Sequence, residues 1–564
     1  MTKPIKLLLF LCLISNMVFG QCMDSTFLFE SEALKAQIST NGMLFADKLG
    51  GESIFQFQDS EISMIQRAGL WIAGRDPSHS LKGAIHNEDN FLSCDFTSGR
   101  TDGFGQDEYW VVTAEDIEEH LTDYFDNMVI DNPNPVIFGW PGAGNVYFSE
   151  YNDGQQLPEA GDADLAGFHD SCANGIYEPQ HGEYPIVDLK NYSNHSPFYP
   201  EKILWMVIND QKDHQISGFN EIDLDVHITM FHFDCEAEPS LQNSLFVEYK
   251  FINRSVEYLG DVYAGVYADL NVGCSTDDYL GTFTDNYGTQ VYAYNATPQD
   301  TDCTSTWQGI PPVVVVNHLR TPFDEFGNHL STTSMPIYLS NEAPPGARAP
   351  GNPQEYSYAL NNRFIDATPL VEGGLGYQAS QYATDYAFPG LPQNSDEWSE
   401  RTAENPLFDR AILLKSGPFE LNPNEAKASV FAFSIFDNPN AQSIDDQIIY
   451  TKEHALRTGG VLEEIHTSLG IFDYDCSPIT NTKNLTSSHQ ISISPNPSNG
   501  IFYLSNNNLE SISFQVFTTN GQKVHSGKTN NQQIQLSHLS SGMYLLQLIM
   551  KDGSMMSKKI IIQR

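Results

Sequence analysis

The sequence predicts an all-β fold, mostly antiparallel β-sandwiches with a few helices and long loops, and three observations carry that prediction. Aromatic and β-branched residues gather in runs such as SLFVEYKFINRS, LGDVYAGVYADLN, GTQVYAYN and KASVFAFSIF, a composition suited to a pleated surface. Near the C-terminus, Ile512, Phe514 and Val516 alternate with Ser513 and Gln515, and Ile534 and Leu536 with Gln533 and Gln535. A period of two with polar partners buries one face of a strand. Helical periodicity is confined to two stretches.

In chain order, residues 1–20 read as a secretory signal. Lys3 and Lys6 precede the apolar run LLLFLCLI, and Val18 and Gly20 occupy the small positions before a cut. No later stretch approaches the ~20 apolar residues of a spanning helix. Residues 21–130 form a β-rich region ending in TAEDIEEHLTDYF, where Ile117, Leu121 and Phe125 fall four apart behind Thr113 as a cap. Residues 131–476 read as an acidic β-sandwich region. In it, SLFVEYKFINRS and LGDVYAGVYADLN are expected to be adjacent strands with a short connection. Pro, Gly and Asn between about 340 and 425 suggest long loops, and SIDDQIIYTKEHALRTGG suggests a helix closed by Gly459 and Gly460. A polar linker is expected over 477–489. Residues 490–564 then read as a small sandwich of about seven strands, with TNGQ and KDG as hairpin turns.

Charge divides the chain at the same place. Acidic side chains number 72 and basic ones 29, a formal charge of −43, yet Leu485–Arg564 holds six basic and two acidic residues. Nucleic-acid binding requires the opposite sign and is excluded as a partner. Hydrophobic content of 40% is too high for a disordered polyanion. Of the eight cysteines, seven follow the signal, with no CxxC pair among them. Thiolate zinc clusters are therefore not expected, and three disulfides with one thiol left over is the largest framework available to an exported chain.

Two loops concentrate acid. Between Glu150 and Glu183 there are eight carboxylates and no lysine or arginine. DSCANGIYE within it begins like a calcium loop, with Asp170, Asn174 and Gly175 in the first, fifth and sixth places. It departs from that pattern at the third place, Cys172, and at the twelfth, His181. The second loop, DLNVGCSTDDYLGTFTDN, offers Asp269, Asn271, Asp277, Asp278 and Asp285. Neither loop contains its own counter-charge, and unperturbed carboxyls titrate near ~4. Calcium is therefore the expected cofactor, with Asp162, Asp164, Asp170, Asn174 and Glu183 as ligands in the first loop and Asp269, Asn271, Asp277 and Asp278 in the second.

The tail carries the most specific pattern. SPNPSNG, TNGQKV, LSSGMYLLQL and KKIIIQR occur in that order and finish at the C-terminus. Pro495 and Pro497 hold Asn496 extended, and Gly500 supplies a positive φ that turns the chain into IFYLS. This combination resembles the C-terminal sorting domain of type IX secretion cargo, over roughly residues 490–564. The resemblance implies that Pro495, Asn496, Pro497, Gly500, Gly521, Gly542, Tyr544 and Lys559 belong to a signal read by the outer-membrane translocon. It further implies removal of the domain by sortase-like machinery after export, with the cargo surface-attached or released. AGLWIAGRD, HGEYPIVDL, ILWMVIND and DRAILLKSGPFELNPNE are similar to large secreted proteins with this tail, a likeness that implies no chemistry.

Catalytic signatures fail. HExxH and GxSxG are absent. GQKVHSGKT has the wrong glycine spacing for a phosphate loop and no helix after it. His227 and His232 stand an odd number apart in DVHITMFHFDCE, so on a strand they face opposite ways and do not share a metal. The expectation is an exported, calcium-stabilised surface protein that binds a glycan or another surface ligand. The alternative is a secreted hydrolase of polysaccharide or peptide whose carboxylate pair the sequence does not single out.

Overall fold

The computed structural model describes residues 25–46, 53–86, 95–158, 164–187, 200–212, 214–215, 217–285, 288–297, 307, 309–467, 492–494, 498–505, 513–518, 523–529, 533–540, 542–549 and 555–562. The signal stretch lies outside them. The chain divides into two units, Met1–Pro478 and Ile479–Arg564, with the boundary inside the expected linker.

In the large unit the strands are β1 (Thr26–Glu30), β2 (Leu34–Ser39), β3 (Phe55–Phe57), β4 (Ile65–Arg75), β5 (Leu81–Ile85), β6 (Thr97–Ser98), β7 (Trp110–Thr113), β8 (Lys202–Asn209) and β9 (Leu224–His232). They continue as β10 (Ser244–Asn253), β11 (Leu259–Leu270), β12 (Asp278–Asp285), β13 (Gly288–Asn295), β14 (Val313–Arg320), β15 (Thr332–Tyr338), β16 (Arg410–Leu421) and β17 (Ala426–Phe436). The helices are α1 (Ala114–Asn127), α2 (Pro135–Phe138), α3 (Phe148–Tyr151), α4 (Pro239–Gln242), α5 (Pro353–Leu360) and α6 (Ile444–Thr467). One sheet of nine strands has the order β12-β13-β14-β17-β10-β9-β8-β6, with β7 also on β8; a second has the order β15-β16-β11-β4-β5, and β1-β2-β3 form a third. Because β4 pairs with β11 and β7 with β8, sequence on both sides of residue 130 builds the same sheets.

The two large sheets face each other across one core. Leu204, Met206, Ile208, Val226, Ile228 and Met230 of the nine-stranded sheet share it with Leu70, Ile72, Val262, Val266, Ile412 and Leu414 of the five-stranded one. The opposite face of the nine-stranded sheet is also buried. Ile203, Trp205, Val207, Phe231 and Phe246 pack there against Ile117, Phe138, Trp140 and Phe148, and against Val461 and Leu462 of α6. A strand buried on both faces reads as a continuous apolar run, which is why β8 (KILWMVIN) lacks alternation.

Three local expectations meet the structure. α1 begins at Thr113 with a reciprocal capping box: Thr113 Oγ1 accepts the Asp116 N–H at 3.2 Å, and Asp116 Oδ2 accepts the Thr113 N–H at 3.0 Å. β10 and β11, expected as neighbours, instead lie in different sheets, and the short connection between them crosses the core. α6 does not stop at Gly459 and Gly460 but continues to Thr467. It buries Ile448, Ala455, Val461 and Leu462 along the sheet, and that burial outweighs the ~1 kcal/mol each interior glycine costs.

In the second unit, β18 (Ser492–Ser494), β19 (Ile501–Ser505) and β22 (Gln533–Gln535) form one sheet. β20 (Ser513–Thr518), β21 (Lys523–Lys528), β23 (Gly542–Ile549) and β24 (Met555–Ile562) form the other. Among the described residues, Phe502, Leu504, Phe514, Val516, Ile534, Leu536, Leu546, Leu548, Ile560 and Ile562 fill the space between them. Phe514, Val516, Ile534 and Leu536 are the ones the alternation predicts, and Ile512 lies outside the described residues. The antiparallel pairs β20–β21 and β23–β24 occur as expected; their turn residues in TNGQ and KDG lie outside the described residues.

Lys415 on β16 is fully buried, its Nζ donating to Asn362 Oδ1 at 2.9 Å. Burial pushes its ammonium down to about 7, and Asp385 only partly opposes this. The folded state therefore binds fewer protons than the unfolded chain between about 7 and the 10.5 of a free lysine. Stability should rise with pH across that window, by up to about 1.4 kcal/mol per pH unit from this group. Denaturant titrations at several pH values should show that component missing in Lys415→Met; an identical slope in both proteins contradicts a neutral buried amine.

Candidate functional site

The first acidic loop is organised by its own backbone. Asp170 Oδ1 accepts the N–H of Asn174 at 3.1 Å and Oδ2 that of Gly175 at 2.8 Å. Asn174 Oδ1 accepts the Ile176 N–H at 2.8 Å, and its Nδ2 donates to Glu178 Oε2 at 2.8 Å. Glu183, 0% exposed, is the anchor. Its Oε1 accepts from Ser171 N at 2.9 Å and Ser171 Oγ at 3.1 Å, and Oε2 from Glu178 N at 2.9 Å. Asp164 meets Lys250 of β10 at 2.8 Å. The loop has no internal counter-charge, but a neighbouring strand supplies one. Asp162 lies outside the described residues.

The two departures from the calcium pattern come together in space. Ligand atoms of Cys172, Glu178 and His181 all lie within 4.8 Å of one another, at the third, ninth and twelfth places of the loop. Cys172 is a free, exposed thiol. A sulfur, oxygen and nitrogen set suits zinc-like borderline metals, whereas calcium takes oxygen alone. Sequence reasoning recorded both residues as defects of one motif and missed that they converge.

The second loop joins the five-stranded sheet to the edge of the nine-stranded one. Asp269, at the end of β11, is buried and meets Arg67 Nε of β4 through Oδ2 at 3.4 Å. Its Oδ1 and the Oδ1 of Asn271, also buried, have no hydrogen-bond partner, and neither does Oδ1 of nearby Asp409. Burial, with the Asp409 charge second, raises the Asp269 carboxyl to about 7. Near neutrality this group therefore either holds a proton or meets a cation, which differs from the expectation that protonation plays no part. Asp278 Oδ2 accepts the Val272 N–H at 2.8 Å, and Asp277 Oδ2 accepts from Thr297 Oγ1 at 3.0 Å. Among the described residues, Asp269, Asp277 and Asp278 do not converge as one three-carboxylate cluster.

A cavity of about 230 Å3 opens over the outer face of the nine-stranded sheet. Its floor is Trp205 of β8, His227 and Thr229 of β9, and Glu248 and Lys250 of β10; Leu165, Phe168, Asp170, Gly175 and Ile186 stand around it. The first acidic loop thus forms part of its wall. His227 and His232 do face opposite ways. His232 is held by Ser244 O and Asp234 Oδ1, each at 3.0 Å, whereas neither ring nitrogen of His227 has a hydrogen-bond partner. Burial, and then the charges of Lys250, Arg100 and Arg254, hold the His227 imidazole well below its ordinary range and so neutral. The sequence signal for this floor is faint: polar residues at alternate positions, H-I-T and E-Y-K, in strands that carry further polar residues toward their ends.

In the small unit, Gly500 has φ +103° and its carbonyl accepts the Leu536 N–H at 2.7 Å. Tyr544 donates its hydroxyl to Ser540 O at 3.0 Å, and Gly542, Tyr544 and Lys559 all lie on the paired strands β23 and β24. Pro495, Asn496, Pro497 and Gly521 lie outside the described residues.

Residues 492–563 match the family of secretion system C-terminal sorting domains. The tail is such a domain, and the chain carries the sorting signal of type IX secretion cargo. No curated protein matches the chain. Solved structures similar to it include a polysaccharide lyase, at 10% identity and TM-score 0.20 over 72% of this chain and 41% of that one. Another is a candidate aldose 1-epimerase of Escherichia coli K12, at 10% identity and TM-score 0.21 over 73% and 99%. The chain therefore spans about two fifths of the lyase. No helix among the described residues is long and apolar enough to cross a membrane.

A Cβ at Gly500 would stand 2.8 Å from Ser537 Cα, at a φ that L side chains rarely adopt. Gly500→Ala should destabilise the tail by more than about 1 kcal/mol. Limited proteolysis of the full chain should cut residues 492–563 faster in the variant, with the large unit unaffected.

Proposed function

We propose that this chain is delivered through the outer membrane to the cell surface or the medium, where its large unit works as a cation-stabilised module that binds a glycan or another surface component. The sorting domain at residues 492–563 is the observation that carries the reading. Its partners are the type IX translocon and the sortase-like machinery that removes the tail. The cation part is supported by the buried Oδ1 atoms of Asp269 and Asn271, which accept no hydrogen bond from the protein. A hard cation such as calcium binds oxygen donors of this kind, and the acidic surface attracts it.

Deleting residues 490–564 should leave the large unit folded but retained in the periplasm. Surface material from the intact gene should be lighter than the precursor by about the mass of that domain, as mass spectrometry reads it. Normal surface yield of the truncated chain contradicts the sorting role. For binding, the full chain screened against surface polymers should show saturable binding without turnover. Turnover would mark it instead as a hydrolase.

Calcium should raise the melting temperature of the large unit and chelator should lower it. With free calcium at about 100 times its dissociation constant, one site contributes roughly 2.7 kcal/mol. Asp269→Asn and Asn271→Ala should each reduce that response. Melting curves at fixed ionic strength, which removes general screening, decide the matter: indifference to both chelator and calcium means that Arg67, Lys250 and protons suffice.

A further inference from the structure

The floor of the cavity over the nine-stranded sheet is a polar patch bordered by apolar side chains. In the strand register Thr229 stands between Trp205 and Glu248, and His227 between Val207 and Lys250. Thr229, His227, Glu248 and Lys250 therefore form a two-by-two block, set among Ile203, Val207, Phe231 and Phe246. His227 is 2% exposed and edge-on to Trp205, with ring centroids 5.2 Å apart at 83°. A neutral imidazole carries one donor and one acceptor, and here both lack a partner. Buried polar atoms are almost always satisfied, and one that is not calls for an explanation.

We propose that this cavity binds one uncharged polyhydroxy ring, a monosaccharide or the terminal unit of a glycan, with His227 and Thr229 hydrogen-bonding its hydroxyls. The inference deepens the ligand-binding reading above and rests on it. Charge selects the class. The ammonium of Lys250 already has Asp164 at 2.8 Å, so an anion would gain little from it and would face Glu248 and Asp170. A cation would be set beside Lys250. Hydroxyls donate and accept together, as the His227 ring and the Thr229 hydroxyl require. Shape agrees: Leu165, Phe168 and Ile186 offer an apolar wall across from the polar floor, matching a ring with C–H faces and a hydroxylated rim. The volume of about 230 Å3 falls below the ~300–1,000 Å3 typical of pockets for drug-sized ligands, which limits the occupant to one ring.

The test uses the full chain with glucose, galactose, mannose, xylose and N-acetylglucosamine, and with oligosaccharides ending in each, followed by calorimetry and ligand-observed NMR. At least one sugar should bind saturably, and His227→Leu and Thr229→Val should each weaken it by about tenfold or more. Equal affinity for a free sugar and its oligosaccharide identifies a monosaccharide site; tighter binding of the oligosaccharide identifies a glycan end. Without sugar, His227→Leu should melt no lower than the parent, because it removes two unmet polar atoms, whereas a structural histidine would lower it. A lower melting temperature for that variant overturns the proposal. Polymer binding that survives both substitutions overturns the pocket and leaves the binding-module reading in place. No saturable binding to any sugar or polymer overturns both.

Discussion

Burial of the nine-stranded sheet on both faces is the constraint on which the large unit depends. Its inner face shares a core with the five-stranded sheet, and its outer face is covered by α1, α6 and described residues between Ile137 and Val187. Side chains on β8, β9 and β10 have almost no access to water on either side. In such a place an apolar residue adds stability at about 25 cal/mol per Å2 buried, and a polar one costs free energy unless it is paired. Most polar residues there are paired: His232 with Ser244 and Asp234, Asp225 with Arg254 at 2.7 Å, and Ser244 with Ser434 at 2.7 Å. Among the described residues of these strands, the Tyr249 hydroxyl and both ring nitrogens of His227 lack a partner, and of these two side chains His227 borders the cavity.

The same rule accounts for the acidic loops. A formal charge of −43 suggests carboxylates that repel one another and await a cation. The fold places several of them where they do structural work. Glu183 and Asp170 accept backbone N–H groups of a loop that has no ladder of its own, while Asp164 and Asp269 meet cations from strands far away in sequence. Carboxylates buried under such hydrogen bonds replace the N–H partners that regular structure would provide. What remains for a metal is a smaller set of atoms than the acid count implies. The Cys172, Glu178 and His181 group differs again, since its donors favour another class of ion.

The two units depend on different physics. The tail is a small sandwich whose core side chains, among the described residues, come from alternating strands, each burying one face and presenting the other to water. The large unit has layers on both sides of its main sheet, so alternation disappears there and strand partners cannot be read from pattern. That is why β10 and β11, close in sequence and alike in composition, were expected to pair but lie in opposite layers.

By itself, the sequence determined whatever local chemistry controls. The all-β class, the Thr113 cap, the positive φ at Gly500, the core of the tail and its sorting pattern all depend on residues near one another in the chain. The boundary near residue 478 was legible from the change in charge and composition. Tertiary structure alone decided what depends on distant neighbours. It carried α6 past Gly459 and Gly460, because the sheet beneath rewards each further turn with burial. It brought Lys250 to Asp164 and Arg67 to Asp269, and set His227, Thr229, Glu248 and Lys250 in one block across two strands. Local spacing fixes a backbone angle or the face of a strand, but charge pairing and cavities arise between segments whose separation along the chain carries no record of their contact.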